Sequence, residues 1–96
     1  MGVIFEAYNN AIQIEEALVE LSAMPEHKGE PHASTLANHL KLVRELLGYF
    51  EREDTGEIVM TYYEGGEKKM NEVLGSLGTA VRKLYKDFGI STMAKP

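Results

Sequence analysis

The chain has 96 residues, 44% hydrophobic and 26% charged, with a net charge of −5 at pH 7 and no cysteine. This composition fits one folded domain over residues 1–96 and excludes a disordered chain or one stapled by disulfides. No apolar run approaches the roughly 18 residues of a membrane span, so we expect a cytoplasmic protein without a membrane partner.

The first predicted element is a helix over residues 4–22, in which two neighbouring rows of apolar side chains recur with the helical period. One row contains Ile4, Ala7, Ala11, Ile14, Leu18 and Leu21, and the other contains Phe5, Tyr8, Ile12 and Val19. Glu15 falls between the two rows. Because a lone buried carboxylate is costly, either a partner meets Glu15 or each row faces a different neighbour.

Pro25, Gly29 and Pro31 predict a loop before the second helix, which we expect over residues 34–53. Its apolar row, with a flanking row beside it, covers about half of the helical circumference. The main row contains Leu36, Leu40, Val43, Leu47 and Phe50, and the flanking row contains His39, Leu42, Leu46 and Tyr49.

Residues 57–63 follow, rich in β-branched and aromatic side chains and bounded by glycines, which is a strand signal. A single strand cannot satisfy its own backbone. The segment therefore pairs with a copy from another chain, pairs with an unrecognised segment such as residues 1–5, or is a helical turn or loop. We expect a short extended connector.

The third helix is predicted over residues 67–88, ended by Gly89, with residues 89–96 as a loose tail. Its apolar residues alternate at spacings of four and three, which is typical of a bundle seam. The seam contains Met70, Leu74, Leu77, Val81, Leu84 and Phe88. The predicted fold is an all-α, three-helix bundle-like domain.

The apolar arcs of the first two helices, about 200° and 180°, exceed what a three-helix bundle can bury. Surplus apolar surface predicts a homo-oligomer or a stable protein partner. The predicted interface residues are Phe5, Ile12, Val19, Leu42, Leu46 and Tyr49.

Glu15 and His39 are predicted to form a buried polar pair between the first two helices. A carboxylate beside an imidazole can transfer protons, but we favour a structural pair, since perturbed pairs are often structural. No catalytic residue is predicted, and the protein is expected not to be an enzyme.

The three histidines are the candidate metal ligands of this chain. Their spacings of five and seven match no zinc signature, so neither a metal nor a cofactor is predicted. The residues are His27, His32 and His39, with Glu26 and Glu30 nearby.

Charge is unevenly spread along the chain. Residues 1–66 hold 12 acidic and 4 basic side chains, whereas residues 67–96 hold 3 and 6. The acidic balance excludes nonspecific nucleic-acid binding. A basic line on the third helix leaves a small anionic ligand as an alternative, although a surface facing Glu6, Glu16 and Glu20 is favoured. That ligand site would use Lys68, Arg82 and Lys86 with Tyr62 and Tyr63.

The sequence thus predicts a small non-enzymatic helical protein that self-associates and acts by binding, and so regulating or inhibiting, a macromolecular partner. The alternative is a module that sequesters or senses a small anionic ligand such as a nucleotide.

Overall fold

The computed structural model describes residues 2–24 and 32–89. Three helices and one hairpin follow one another in these residues: α1 Val3–Ala23, α2 His32–Leu47, β1 Phe50–Arg52, β2 Ile58–Met60 and α3 Gly66–Asp87. The prediction of a mostly helical chain with three helices is confirmed. The hairpin departs from the predicted all-α class. The predicted loop at residues 25–31 and most of the predicted tail, residues 90–96, lie outside the described residues.

Helix α1 lies between the other two helices. It packs against both α2 and α3, whereas α2 and α3 touch little. Tyr8 meets Phe50 edge to face with ring centroids 5.6 Å apart, and Glu15 pairs with Arg44 further along, so α1 and α2 run antiparallel. Tyr85 of α3 bonds to Glu20 near the C-terminal end of α1. The core is therefore assembled on α1.

The buried core follows the apolar rows expected from the helical period. On α1 the buried side chains are Ala7, Ala11, Ile14, Ala17, Leu18 and Leu21. The seam of α3 is buried from Met70 to Leu84, and α2 contributes Leu36, Val43 and Leu46. Phe50 and Ile58 close the core from the hairpin. Burial of these side chains is the main favourable term in folding.

The hairpin replaces the last turn of the predicted second helix, which ends at Leu47 instead of residue 53. Phe50 continues the helical apolar row, but it pairs with Met60 in an antiparallel ladder that ends at Arg52 and Ile58. Gly56, with φ of 93°, supplies the left-handed residue in the connecting loop. The partner missing for residues 57–63 is thus the segment directly before the loop, and not residues 1–5.

Candidate functional site

An exposed apolar stripe follows α1 on the side away from the core. It consists of Phe5, Ile12 and Val19, which we call the α1 stripe. Phe5 is 37% exposed and Val19 is 44% exposed, while Ile12 is half-buried. Their spacing of seven residues keeps them on one face over about 21 Å, at 1.5 Å per residue. These three residues form one part of the predicted interface that the structure leaves exposed or half-buried.

One flank of the α1 stripe is formed by an ion pair. The Arg44 Nε donates to Glu15 Oε2 at 2.9 Å, and the Glu15 side chain keeps 26% of its surface exposed. Such an exposed pair stabilises the fold by about 1 kcal/mol or less. Glu15 thus has the cationic partner that its place between two apolar rows requires.

The predicted buried pair of Glu15 and His39 is wrong. Glu15 and His39 are each half-buried, no charged side chain is buried in the described part of the chain, and no hydrogen bond there joins these two residues. The reason is the rotation of α2: His39 and Arg44 lie about 140° apart around this helix, and Arg44 is the one turned toward Glu15. The proton-transfer interpretation of this pair has no geometric support.

The remaining predicted interface residues do not extend the α1 stripe. Leu46 is 3% exposed and belongs to the core, so its assignment to an interface is wrong. Tyr49 is half-buried, with its ring 4.8 Å from that of Tyr63. Leu42 is exposed, but it lies about 160° around α2 from Arg44 and hence away from the α1 stripe.

The three cations of the predicted basic site lie far apart along α3. Arg82 and Lys86 lie about 21 Å and 27 Å along the axis from Lys68, at 1.5 Å per residue. A small ligand bound at Lys68 would not reach the other two cations. The side chain of Arg82 instead lies over Gly78. A Cβ atom added to Gly78 would be 3.4 Å from Nη1 of Arg82.

The structure does bring Lys68 together with both predicted aromatic residues. Tyr62, Tyr63 and Lys68 line a cavity of about 510 Å³ at the N-terminal end of α3. The ring of Tyr63 packs against Tyr49, whereas Tyr62 is 85% exposed. Tyr62 therefore offers the more accessible ring for stacking.

A hydrogen bond that the sequence does not predict joins α1 and α3. The Tyr85 hydroxyl donates to Glu20 Oε1 at 3.1 Å. Burial, with the bond to Glu20 and its negative charge, raises the pKa of Tyr85 to about 12. Glu20 thus meets a neutral hydroxyl instead of the basic line expected to face it. Tyr85 directly follows Leu84 of the seam. This position beside the seam is the feature of the sequence from which a contact between Tyr85 and α1 could have been predicted.

A second surface feature, also missed from the sequence, is a cleft at the N-terminal end of α1. It has a volume of about 640 Å³ and is lined by residues 2–5, residues 55–59 and Glu67. The hairpin forms one wall, so a sequence pattern that predicts a helix through residue 53 gives no sign of the cleft. Its apolar walls and open mouth make it a candidate binding site.

Across residues 2–24 and 32–89, no group of three or more His, Cys, Asp or Glu side chains could hold a metal ion. Glu26, His27 and Glu30 lie outside the described residues. No helix in the same residues is long and apolar enough to cross a bilayer.

Comparison with protein-family models, with curated protein sequences and with solved structures found no match to this chain.

Proposed function

We propose that this protein is a non-enzymatic interaction module that self-associates and regulates or inhibits a macromolecular partner by binding it. The observation that carries the proposal is the α1 stripe. Large apolar side chains repeated every seven residues along an exposed helical face are the pattern by which helices pair or dock into grooves.

The flanks of the α1 stripe favour pairing between copies. Arg44 lies on one flank, with 56% of its side chain exposed, and Glu16 is exposed on the other. In a twofold pair with parallel α1 helices, each flank meets the opposite flank of the partner copy. Arg44 of each copy would then lie near the acidic flank of the other, while the apolar residues meet along the axis.

Val19→Glu should weaken self-association, because it places a charge on the apolar face of the contact. Light scattering on a size-exclusion column measures the mass against the protomer value of 10.7 kDa. We expect a wild-type mass of at least twice that value and at least a 10-fold weaker association for Val19→Glu.

Leu42→Glu is the matched control, since Leu42 is 36% exposed and lies off the α1 stripe. It should leave the mass unchanged. A wild-type protein that stays at the protomer mass at every concentration would refute self-association. Loss of self-association in Leu42→Glu, with Val19→Glu unaffected, would move the contact to another face.

A second candidate function is binding of a small anionic ligand such as a nucleotide. It is supported by the cavity that joins Tyr62, Tyr63 and Lys68 at the start of α3. Gly65 precedes this helix and supplies no side-chain cap, so the backbone N–H groups of Glu67 and Lys68 can face an anion.

The test for this candidate is a thermal-shift measurement with ATP and GTP. A ligand at 100 times its dissociation constant should stabilise the protein by about 2.7 kcal/mol. Lys68→Ala should remove most of this shift, whereas Arg82→Ala should not, because Arg82 lies about 21 Å away along the helix. No shift with either nucleotide would dismiss nucleotides as ligands.

A further inference from the structure

The cleft beside α1 runs along the outer edge of β2. Five consecutive residues of the hairpin, 55–59, contribute to its lining, with residues 2–5 of the chain opposite. Ile58 and Val59 are consecutive strand residues whose side chains point to opposite faces of the sheet, so a cleft that both of them line lies at the edge of β2.

This edge presents unpaired backbone groups. Thr61 N donates to Tyr49 O at 2.7 Å, and Glu53 N donates to Glu57 O at 2.8 Å, which fixes the alternation of bonded pairs in the ladder. Ile58 and Met60 occupy the non-bonded pairs and direct their N–H and C=O groups away from β1. No other hydrogen bond within the described ranges takes up these groups. A strand edge of this kind is a template for another strand.

The walls beside the edge are apolar and exposed. Val3 is 53% exposed and Phe5 is 37% exposed, and both line the cleft. Glu67 also lines the second cavity, which continues past residues 60–63 and includes the 85% exposed Tyr62. The 640 Å³ cleft and the 510 Å³ cavity thus adjoin at Glu67, and we call the surface that they line along residues 55–63 the β2 groove.

We propose that the β2 groove binds an extended basic peptide segment of another protein, which joins the hairpin as a third strand beside β2. The proposal rests on the proposed function, since it identifies how this interaction protein recognises a partner. Backbone bonds to Ile58 and Met60 would hold the peptide, and apolar side chains at alternate positions would contact Val3 and Phe5.

Charge selects a basic peptide over a second copy of this chain. Glu57 and Glu67 line the β2 groove, and Glu53 and Asp54 are exposed in the adjoining hairpin loop, so four carboxylates outnumber the one lining cation, Lys68. Lysine or arginine side chains of a peptide would meet these carboxylates favourably. A second copy carries the same excess of carboxylates beside its β2 strand, so its approach gains no such attraction.

The test uses fluorescein-labelled, end-blocked peptides of eight residues in which Lys alternates with Val, Ile or Tyr. Fluorescence polarisation should show saturable binding of at least one of them. The same peptides with Glu in place of Lys should bind at least 10-fold more weakly, and so should peptides N-methylated at alternate amides, which cannot complete a ladder.

Hydrogen exchange locates the peptide on the strand edge. The amides of Ile58 and Met60 should exchange at least 10-fold more slowly in the complex, because each gains a bond. The amide of Val59 already faces β1 in the ladder and should change less. Binding without slower exchange at Ile58 and Met60 would overturn strand addition.

Glu57→Lys should weaken peptide binding about 5- to 10-fold, since it replaces an attraction with a repulsion at the surface. Glu72→Lys is the matched control, because Glu72 is an exposed glutamate of α3 outside the lining of both cavities. Equal binding by the two variants, or no binding of any basic peptide to the wild type, would overturn the assignment.

The result is separable from the test of self-association. Val19→Glu should bind the peptides as the wild type does, because Val19 lies about 21 Å along α1 from Phe5. If the wild-type protein self-associates but binds no peptide, only the proposal for the β2 groove is refuted. If the wild-type protein binds the peptides but does not self-associate, only the proposal for the α1 stripe is refuted.

Discussion

Leu18→Ala is expected to lower the free energy of unfolding by about 3 kcal/mol, within the range known for buried leucines. Leu18 is fully buried on α1, the helix against which both α2 and α3 pack. Since α2 and α3 touch little, a cavity at this position cannot be filled by closing those two helices onto each other. Urea unfolding followed by circular dichroism measures the change.

Val19→Ala is the matched control for this substitution, because Val19 is the next residue on the same helix and is 44% exposed. At protein concentrations where the chain is monomeric it should change the free energy of unfolding by less than about 0.5 kcal/mol. At higher concentrations it should become destabilising if the α1 stripe is covered in an oligomer. A Leu18→Ala loss below about 1 kcal/mol would contradict the central position of α1.

Gly65→Ala is expected to destabilise the protein by about 2 kcal/mol or more. Gly65 has a φ of 95°, in the left-handed region where a side chain costs about 1–2 kcal/mol. A Cβ at this position would also lie 2.5 Å from the Cβ of Lys69, an atom held by the helix backbone. Relief of the clash would require the turn before α3 to move, and thermal or urea unfolding reports its cost.

Gly75→Ala provides the opposite result on the same helix. Gly75 lies within α3 with a negative φ, and a Cβ there meets nothing within 4 Å. The higher helix propensity of alanine should therefore raise the free energy of unfolding by about 1 kcal/mol. If both glycine variants were equally destabilised, the explanation by backbone conformation would fail.

The two proposed binding surfaces share one residue. Phe5 belongs to the α1 stripe and also lines the cleft beside β2. A substitution at Phe5 would affect both surfaces and could not tell them apart. Val19 and Glu57 each belong to one surface alone, which is why the two tests use them.

The sequence predicted an exposed binding surface only where the apolar residues covered more of a helix's circumference than one core can bury. The excess apolar arc of the first helix predicted that Phe5, Ile12 and Val19 would not all fit into one core, and Phe5 and Val19 are exposed. The same reasoning failed for Leu46, which is buried in the core cluster to which Phe50 and Ile58 of the hairpin also belong. The β2 groove was invisible in the sequence, since its walls come from segments far apart in the chain.

The local spacing of apolar residues was enough to place α1 and α3 within one residue of their ends, because a helix satisfies its backbone through bonds between near neighbours. The end of α2 was open to two solutions, since Phe50 suits both a helical row and a strand. Pairing with Met60, ten residues away, selected the strand. The partner of Glu15 depended likewise on how α2 is rotated against α1, which turns Arg44 and not His39 toward the carboxylate. Contacts between distant segments determine these features, and the periodic pattern within one segment does not predict such contacts.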